Sequence, residues 1–195
     1  MKNDVRIHLC VLAAGASRRF GAAKQLYPIN GQPMVMHVYN ECNHASIVKK
    51  SLVLGAHFEH VSAVIPGNVN VVFSKNWDLG LSASIHSAID AMSEDATHLM
   101  LALADQVSIL STEYEHLVNA CLDSPNSINT AVYAKKRGVP AIFPRETLPA
   151  LTELKGDRGA SSVLNSMHNV FEINLPSALI DIDTRDDLQH WKARI

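Results

Sequence analysis

The chain has 195 residues, 47% of them hydrophobic and 18% charged, and a formal net charge of -2 at neutral pH. That is apolar material for one sizeable core, so a single domain over residues 1–195 is expected, and the lack of a basic block argues against nucleic acid as a partner. No apolar run reaches membrane-spanning length, residues 1–4 lead into a strand rather than a signal-peptide core, and Cys10, Cys42 and Cys121 stand apart without metal-ligand spacing; the expectation is a cytoplasmic protein off the membrane.

In chain order, the apolar run 7–12 reads as a buried first strand, with Cys10 a small hydrophobe inside it. A loop of small residues follows, with glycines at 15 and 21. Residues 33–45 read as a helix that tolerates Pro33 in its first turn, and 51–54 and 69–73 as β-rich segments. Leu81, Ile85, Ala88, Ile89 and Met92 recur at helical spacing over 81–92. The apolar run 98–104 then stops at a carboxylate, Asp105. A helix over 111–122, strands over 130–133 and 139–143, a helix over 160–167, a strand over 170–173 and a short helix from Thr184 complete the pattern. This alternation predicts an α/β fold, a three-layer sandwich with a mostly parallel central sheet. On such sheets ligands collect beyond the carboxyl ends of the strands.

Two motifs fall there. In the glycine loop, small residues let backbone N–H groups approach a polyphosphate, and successive amides turned one way form an anion-binding concavity. Arg18, Arg19 and Lys24 add cations suited to charge-assisted hydrogen bonds with phosphate oxygens. The loop lacks the Gly-Lys-Ser/Thr ending of a P-loop, and its glycines lack dinucleotide-fingerprint spacing. On these residues alone it is either a triphosphate site or an ordinary strand-to-helix turn. Asp105 likewise either holds Mg²⁺ against an α-phosphate, as a hard oxygen ligand for a hard ion, or caps the next segment.

Residues 76–84 bring Gly80, Ser82 and Ser84 together, where either serine can cap a helix; Trp77 reads as packing rather than stacking. Asp181 and Asp183 alternate onto one side of an expected short strand. Thr184 is available as a cap, and Asp186 and Asp187 sit where a helix dipole favours acids. The 10 histidines are scattered, so no zinc site is expected, and there is no nucleophile elbow.

Residues 12–26, LAAGASRRFGAAKQL, resemble the signature Leu-Ala-Ala-Gly-x-Ser-x-Arg-x-Gly-x-x-Lys-x-Leu of the nucleotidyltransferases that act on molybdenum cofactor. The Ala-Ala-Gly form is most similar to the molybdenum cofactor cytidylyltransferases; the related guanylyltransferases usually carry Ala-Gly-Gly. Asp105-Gln106 resembles the family's Asp-Gln-Pro, with Val107 replacing proline. Residues 181–188 resemble Asp-Ile-Asp-Thr-Pro-Glu-Asp-Leu, with Arg185 and Asp186 replacing proline and glutamate. Residues 138–143 resemble Gly-x-Pro-x-Leu-Phe, and 156–161 resemble Gly-Asp-x-Gly-Ala-Arg with Ser161 replacing the arginine.

The resemblance covers nearly the whole chain and implies a Rossmann-like nucleotidyltransferase. It implies nucleotide contacts from Leu12, Ala13, Ala14, Gly15, Ser17, Arg19, Gly21 and Lys24, and base contacts from Gly80, Ser82 and Ser84. Arg19, Lys24 and Asp105 become the catalytic residues, with Asp105 and Asp183 as Mg²⁺ ligands and Asp181 in reserve. Gly138, Pro140, Gly156, Asp157 and Arg158 become acceptor contacts. The implied reaction transfers CMP from CTP to the phosphate of molybdopterin, releases pyrophosphate and supplies an apo-molybdoenzyme. Ser161 leaves open another phosphorylated acceptor, such as a sugar phosphate. A non-catalytic carrier of the cofactor is the reading from a different class.

Overall fold

The structure is a computed structural model that describes residues 5–193. Its first strand, β1 (Ile7–Ala13), is buried at all 7 positions. Ile7, Leu9, Val11 and Ala13 enter one core and Cys10 and Leu12 the other, the period-two alternation of a strand covered on both faces. A hairpin of two-residue strands, β2 (Pro28–Ile29) and β3 (Gln32–Pro33), leads into α1 (Met34–Glu41). Next come β4 (Ile47–Leu54), α2 (Phe58–Ser62), β5 (Asn70–Phe73), α3 (Leu81–Asp90) and β6 (His98–Leu103). The second half holds α4 (Ser111–Asp123), β7 (Ile128–Tyr133), β8 (Lys136–Pro144), α5 (Leu148–Thr152), α6 (Ala160–Ser166), β9 (Val170–Asn174) and α7 (Arg185–Lys192).

Seven strands form one sheet in the order β5-β4-β1-β6-β8-β7-β9. Only β8 runs antiparallel to its neighbours, so the sheet is mostly parallel as expected. Met34, Val38, Tyr114, Leu117, Leu188 and Trp191 place α1, α4 and α7 on one face. Ile85, Ala88, Leu148, Leu151, Val163 and Leu164 place α3, α5 and α6 on the other. The chain leaves β1 towards β4 and β5, then returns to β6 on β1's opposite side. Strand order therefore reverses between β1 and β6, and a crevice opens beyond their carboxyl ends.

Three local expectations need correcting. The expected helix 33–45 is only α1, because Pro33 pairs with Pro28 in the hairpin and the helix stops at Glu41. The strand expected from residue 51 starts at Ile47, since Lys49 and Lys50 pair with His8 and Leu9 of β1. Residues 180–183 form no strand; the Ile182 N–H instead donates to the Asp105 carbonyl at 3.1 Å, and the Ile182 side chain fills the core.

Candidate functional site

The loop after β1 is held by its carbonyls. Gln25, buried between loop and sheet, donates its amide to Ala13 O at 2.9 Å and Gly15 O at 2.8 Å. The Ala56 N–H donates to Ala14 O at 3.0 Å, and His57 Nε2–H to Ala16 O at 3.0 Å. Ser17, at φ 52, turns the chain so that its carbonyl accepts from the N–H groups of Phe20 and Gly21. Carbonyls 13–17 are thus all engaged. The N–H groups of residues 15–19 donate to no protein acceptor among the described residues. A loop with its acceptors tied and its donors available is an anion cradle made by the main chain.

The cradle forms one side of a cleft of about 680 Å³. The cleft is lined by Leu12, Ala13, Ala14, Gly15, Ser17, Arg19, Lys24, Gly80, Ser84, Asp105, Asp157 and Asp183, residues that sequence reasoning singled out. Trp77 lines it too, while also packing against Gly55. Of the remaining candidates, Ser82 and Gly156 line a separate cavity of about 480 Å³ behind the α3 N-terminus. Gly21 and Arg158 are exposed outside both linings, and Gly138 and Pro140 are buried in β8. Gln106 connects that part of β8 to the site, donating to Val139 O at 3.0 Å and Ala178 O at 2.8 Å.

Two glycine contacts shape the cleft. A Cβ on Gly55 would lie 2.6 Å from Ala14 O and from Trp77 Cβ, so the end of β4 presses the loop towards Trp77. Gly80 has φ +102, and a Cβ there would come within 2.5 Å of the Gly156 carbonyl. The Ser82 N–H donates to that carbonyl at 3.1 Å, so one backbone contact separates the two cavities.

At the cleft's charged end, Lys24 Nζ donates to Asp105 Oδ2 at 2.8 Å, Asp183 Oδ1 at 2.9 Å and Ile182 O at 2.8 Å. The exposed Arg19 donates to Asp183 Oδ2 at 2.6 Å. Burial alone would lower the Lys24 pKa, but Asp105 and Asp183 outweigh it and hold the ammonium above its usual value. Asp181 is pushed above the usual carboxylate range, first by desolvation and then by the negative charges of Asp183 and Asp105.

Asp183 is fixed from behind by the start of α7. Asp187 accepts from the N–H groups of Asp183 and Thr184 at 3.1 and 2.7 Å, while its own N–H donates to Thr184 Oγ1 at 3.1 Å. This reciprocal capping box accounts for Thr184 and Asp187 without a metal.

The donor set suits a hard divalent cation. Asp105 Oδ1 is buried with no hydrogen-bond partner, although its sister oxygen meets Lys24. Among the described residues no group of three or more His, Cys, Asp or Glu side chains could hold a metal. A cation at Asp105 and Asp183 would therefore complete its shell with water and phosphate oxygens, the usual habit of Mg²⁺.

Sequence reasoning missed Gln25, Gly55 and His57. Gln25 was visible only as a variable position of the signature, and Gly55 only as a glycine straight after an apolar strand. His57 gave no signal, because its role is a side chain reaching a loop 41 residues away.

A MobA-like NTP transferase domain matches residues 9–170. Similar curated proteins include the bifunctional protein GlmU of Oceanobacillus iheyensis, 27% identical over 110 residues, 55% of this chain and 24% of that protein. A probable molybdenum cofactor guanylyltransferase of Pyrococcus horikoshii is 34% identical over 58 residues, 29% of this chain and 30% of that one. The matches thus span less than a third of these two relatives. The purine catabolism protein PucB of Bacillus subtilis is 27% identical over 196 residues, 90% of this chain and 91% of that protein. Among solved structures, Rv0371c of Mycobacterium tuberculosis superposes with a TM-score of 0.83 at 26% identity, covering 97% of this chain and 98% of that one. Rv0371c has also been solved in complex with manganese. Molybdopterin-guanine dinucleotide biosynthesis protein A of Archaeoglobus fulgidus shares the fold, with a TM-score of 0.70 at 17% identity over 96% of this chain and 100% of that one.

Proposed function

This chain belongs to the MobA-like NTP transferase family and is a nucleotidyltransferase; from that premise we propose that it transfers CMP from CTP to the terminal phosphate of molybdopterin and releases pyrophosphate. The observation that carries this reading is the joining of the amide cradle to Lys24, Asp105 and Asp183 around one cleft. The cradle suits the β- and γ-phosphates, with Arg19 and Lys24 neutralising their charge.

An oxygen of the acceptor phosphate attacks the α-phosphorus in line. The bond from that phosphorus to the bridging oxygen breaks, and its electron pair leaves with pyrophosphate. The attacking phosphate is already anionic, so no strong general base is needed, and positioning with charge neutralisation does the work. Mg²⁺ held by Asp105 and Asp183 would neutralise charge developing at the α-phosphate.

Ala14 supports the choice of CTP. The related guanylyltransferases usually carry glycine there. Ala14 and Trp77 both line the cleft, and alanine is the bulkier residue at that position, which suits the smaller pyrimidine. PucB, the relative matched over most of both chains, is named for purine catabolism rather than for an acceptor. Ser161 stands where the family resemblance has arginine, which supports as a second reading another phosphorylated acceptor such as a sugar phosphate. A mere carrier has no use for an amide cradle beside Lys24 and Asp105. The three cysteines are all buried free thiols, and no described helix is long and apolar enough to cross a membrane.

The test is Asp105→Ala. Turnover is expected to vanish while circular dichroism and the unfolding midpoint stay close to wild type. Full activity in a folded variant contradicts the metal and site assignment.

A further inference from the structure

We infer that Lys24 is a resident cation of the Asp105–Asp183 pair, so that a divalent metal enters only when a nucleotide draws Lys24 away. The inference rests on the proposed nucleotidyl-transfer site and adds an order of binding to it. An ammonium has three N–H donors, and all three are used within the protein, on Asp105 Oδ2, Asp183 Oδ1 and Ile182 O at 2.8 to 2.9 Å. None is left for a phosphate oxygen. Lys24 therefore cannot serve the triphosphate from its observed position; it must give up at least one of these three partners first.

The same contacts bear on the metal. Asp105 Oδ2 and Asp183 Oδ1 both face Lys24 Nζ, and Asp183 Oδ2 is taken by Arg19. The one carboxylate oxygen of the pair with no partner, Asp105 Oδ1, is buried. A divalent ion bridging both side chains would have to share oxygens with an ammonium or lie directly beside it, where like charges repel across a poorly screened site. The triphosphate resolves the conflict. Its β- and γ-oxygens offer Lys24 and Arg19 acceptors of higher charge, and the carboxylate oxygens of Asp105 and Asp183 so released would be free to hold a divalent ion. Metal and nucleotide then bind with positive coupling, which must be reciprocal. A site that stays closed to metal until its substrate arrives also avoids being filled by whichever divalent ion is abundant.

The experiment measures Mn²⁺ binding by electron paramagnetic resonance in wild type and Lys24→Met, first without nucleotide. The variant is expected to bind Mn²⁺ at least about tenfold more tightly than wild type, because the competing charge is gone. Equal affinities, with the variant shown to be folded by circular dichroism, overturn the inference. Should Lys24→Met not fold, lysine side-chain NMR on wild type decides the matter. CTP without divalent metal should move the Lys24 signal, whereas Mg²⁺ alone at millimolar level should leave it in place. A shift with Mg²⁺ alone overturns the inference. The nucleotide-free arms depend on neither base nor acceptor, so failure of the CTP or molybdopterin assignment is distinguishable. If the base is wrong, GTP or ATP moves Lys24 instead of CTP.

Discussion

Acid should destabilise the protein through one buried imidazole in β1. His8 is fully buried. Its Nδ1 accepts from the Ser93 N–H at 3.0 Å, which leaves Nε2–H to donate to Ser51 Oγ at 2.7 Å. A proton added at Nδ1 would abolish the first bond. Burial is the main cause of a pKa lowered to about 4 from 6.5; the positive charge of Lys49 adds to it, and Asp95 opposes it. Between these values the unfolded chain takes up a proton that the folded chain refuses, so stability falls as the pH drops below 6.5. At about 1.4 kcal/mol per pKa unit, the loss is roughly 2 kcal/mol by pH 5 and reaches about 3 kcal/mol below pH 4.

The assay is urea unfolding of wild type and His8→Asn from pH 7 to 5. Other groups titrate in both proteins, so the difference between the two profiles isolates His8. The wild-type stability should fall by about 2 kcal/mol more than that of the variant. Parallel profiles would refute both the neutral imidazole and the hydrogen-bond assignment.

Gly80→Ala should cost about 2 kcal/mol or more and raise the nucleotide KM, because the methyl meets the Gly156 carbonyl at an unfavourable positive φ; a normal Tm and KM would show that the wall yields freely. Gln25→Met keeps the side-chain volume but strips three hydrogen bonds from the phosphate loop, two donated to Ala13 O and Gly15 O and one accepted from Ser17 Oγ. It should cost roughly 1–3 kcal/mol and lower kcat/KM about tenfold, read by thermal melts and steady-state kinetics. Ala14→Gly should raise GTP use relative to CTP, measured by competition between the two; an unchanged ratio removes Ala14 from base selection.

The core of this architecture was legible because its signals are local. The run ending at Leu12, the small-residue loop and the run ending at Asp105 each carry their own pattern, and the sandwich follows from their alternation. What escaped depends on contacts distant in sequence or on very short elements. The β2–β3 hairpin has strands of two residues each, and α2 and α5 have 5 each, too few for a period to show. Lys49 and Lys50 disguised the first half of β4, although they pair with β1 like any strand residues. Asp181 and Asp183 looked like strand alternation, whereas Ile182 between them is anchored by the core and by the Asp105 carbonyl. Ser82 and Ser84 share a motif but line different cavities, because residues two apart lie about 200° round a helix, on either side of the wall formed with Gly156. The reversed direction of β8, which brings residues 138–140 to the carboxyl-end side of β6 while leaving Gly138 and Pro140 buried outside the cleft lining, has no signature in a single sequence.

The most direct test of the central claim is pyrophosphate release by the purified protein with Mg²⁺ and active molybdenum cofactor, comparing CTP, GTP and ATP. Release is expected to require the cofactor and to be well above the others with CTP, with a cytosine dinucleotide product in the mass spectrum. No release with any of the three would contradict it, and so would release that favours GTP or proceeds equally without the cofactor.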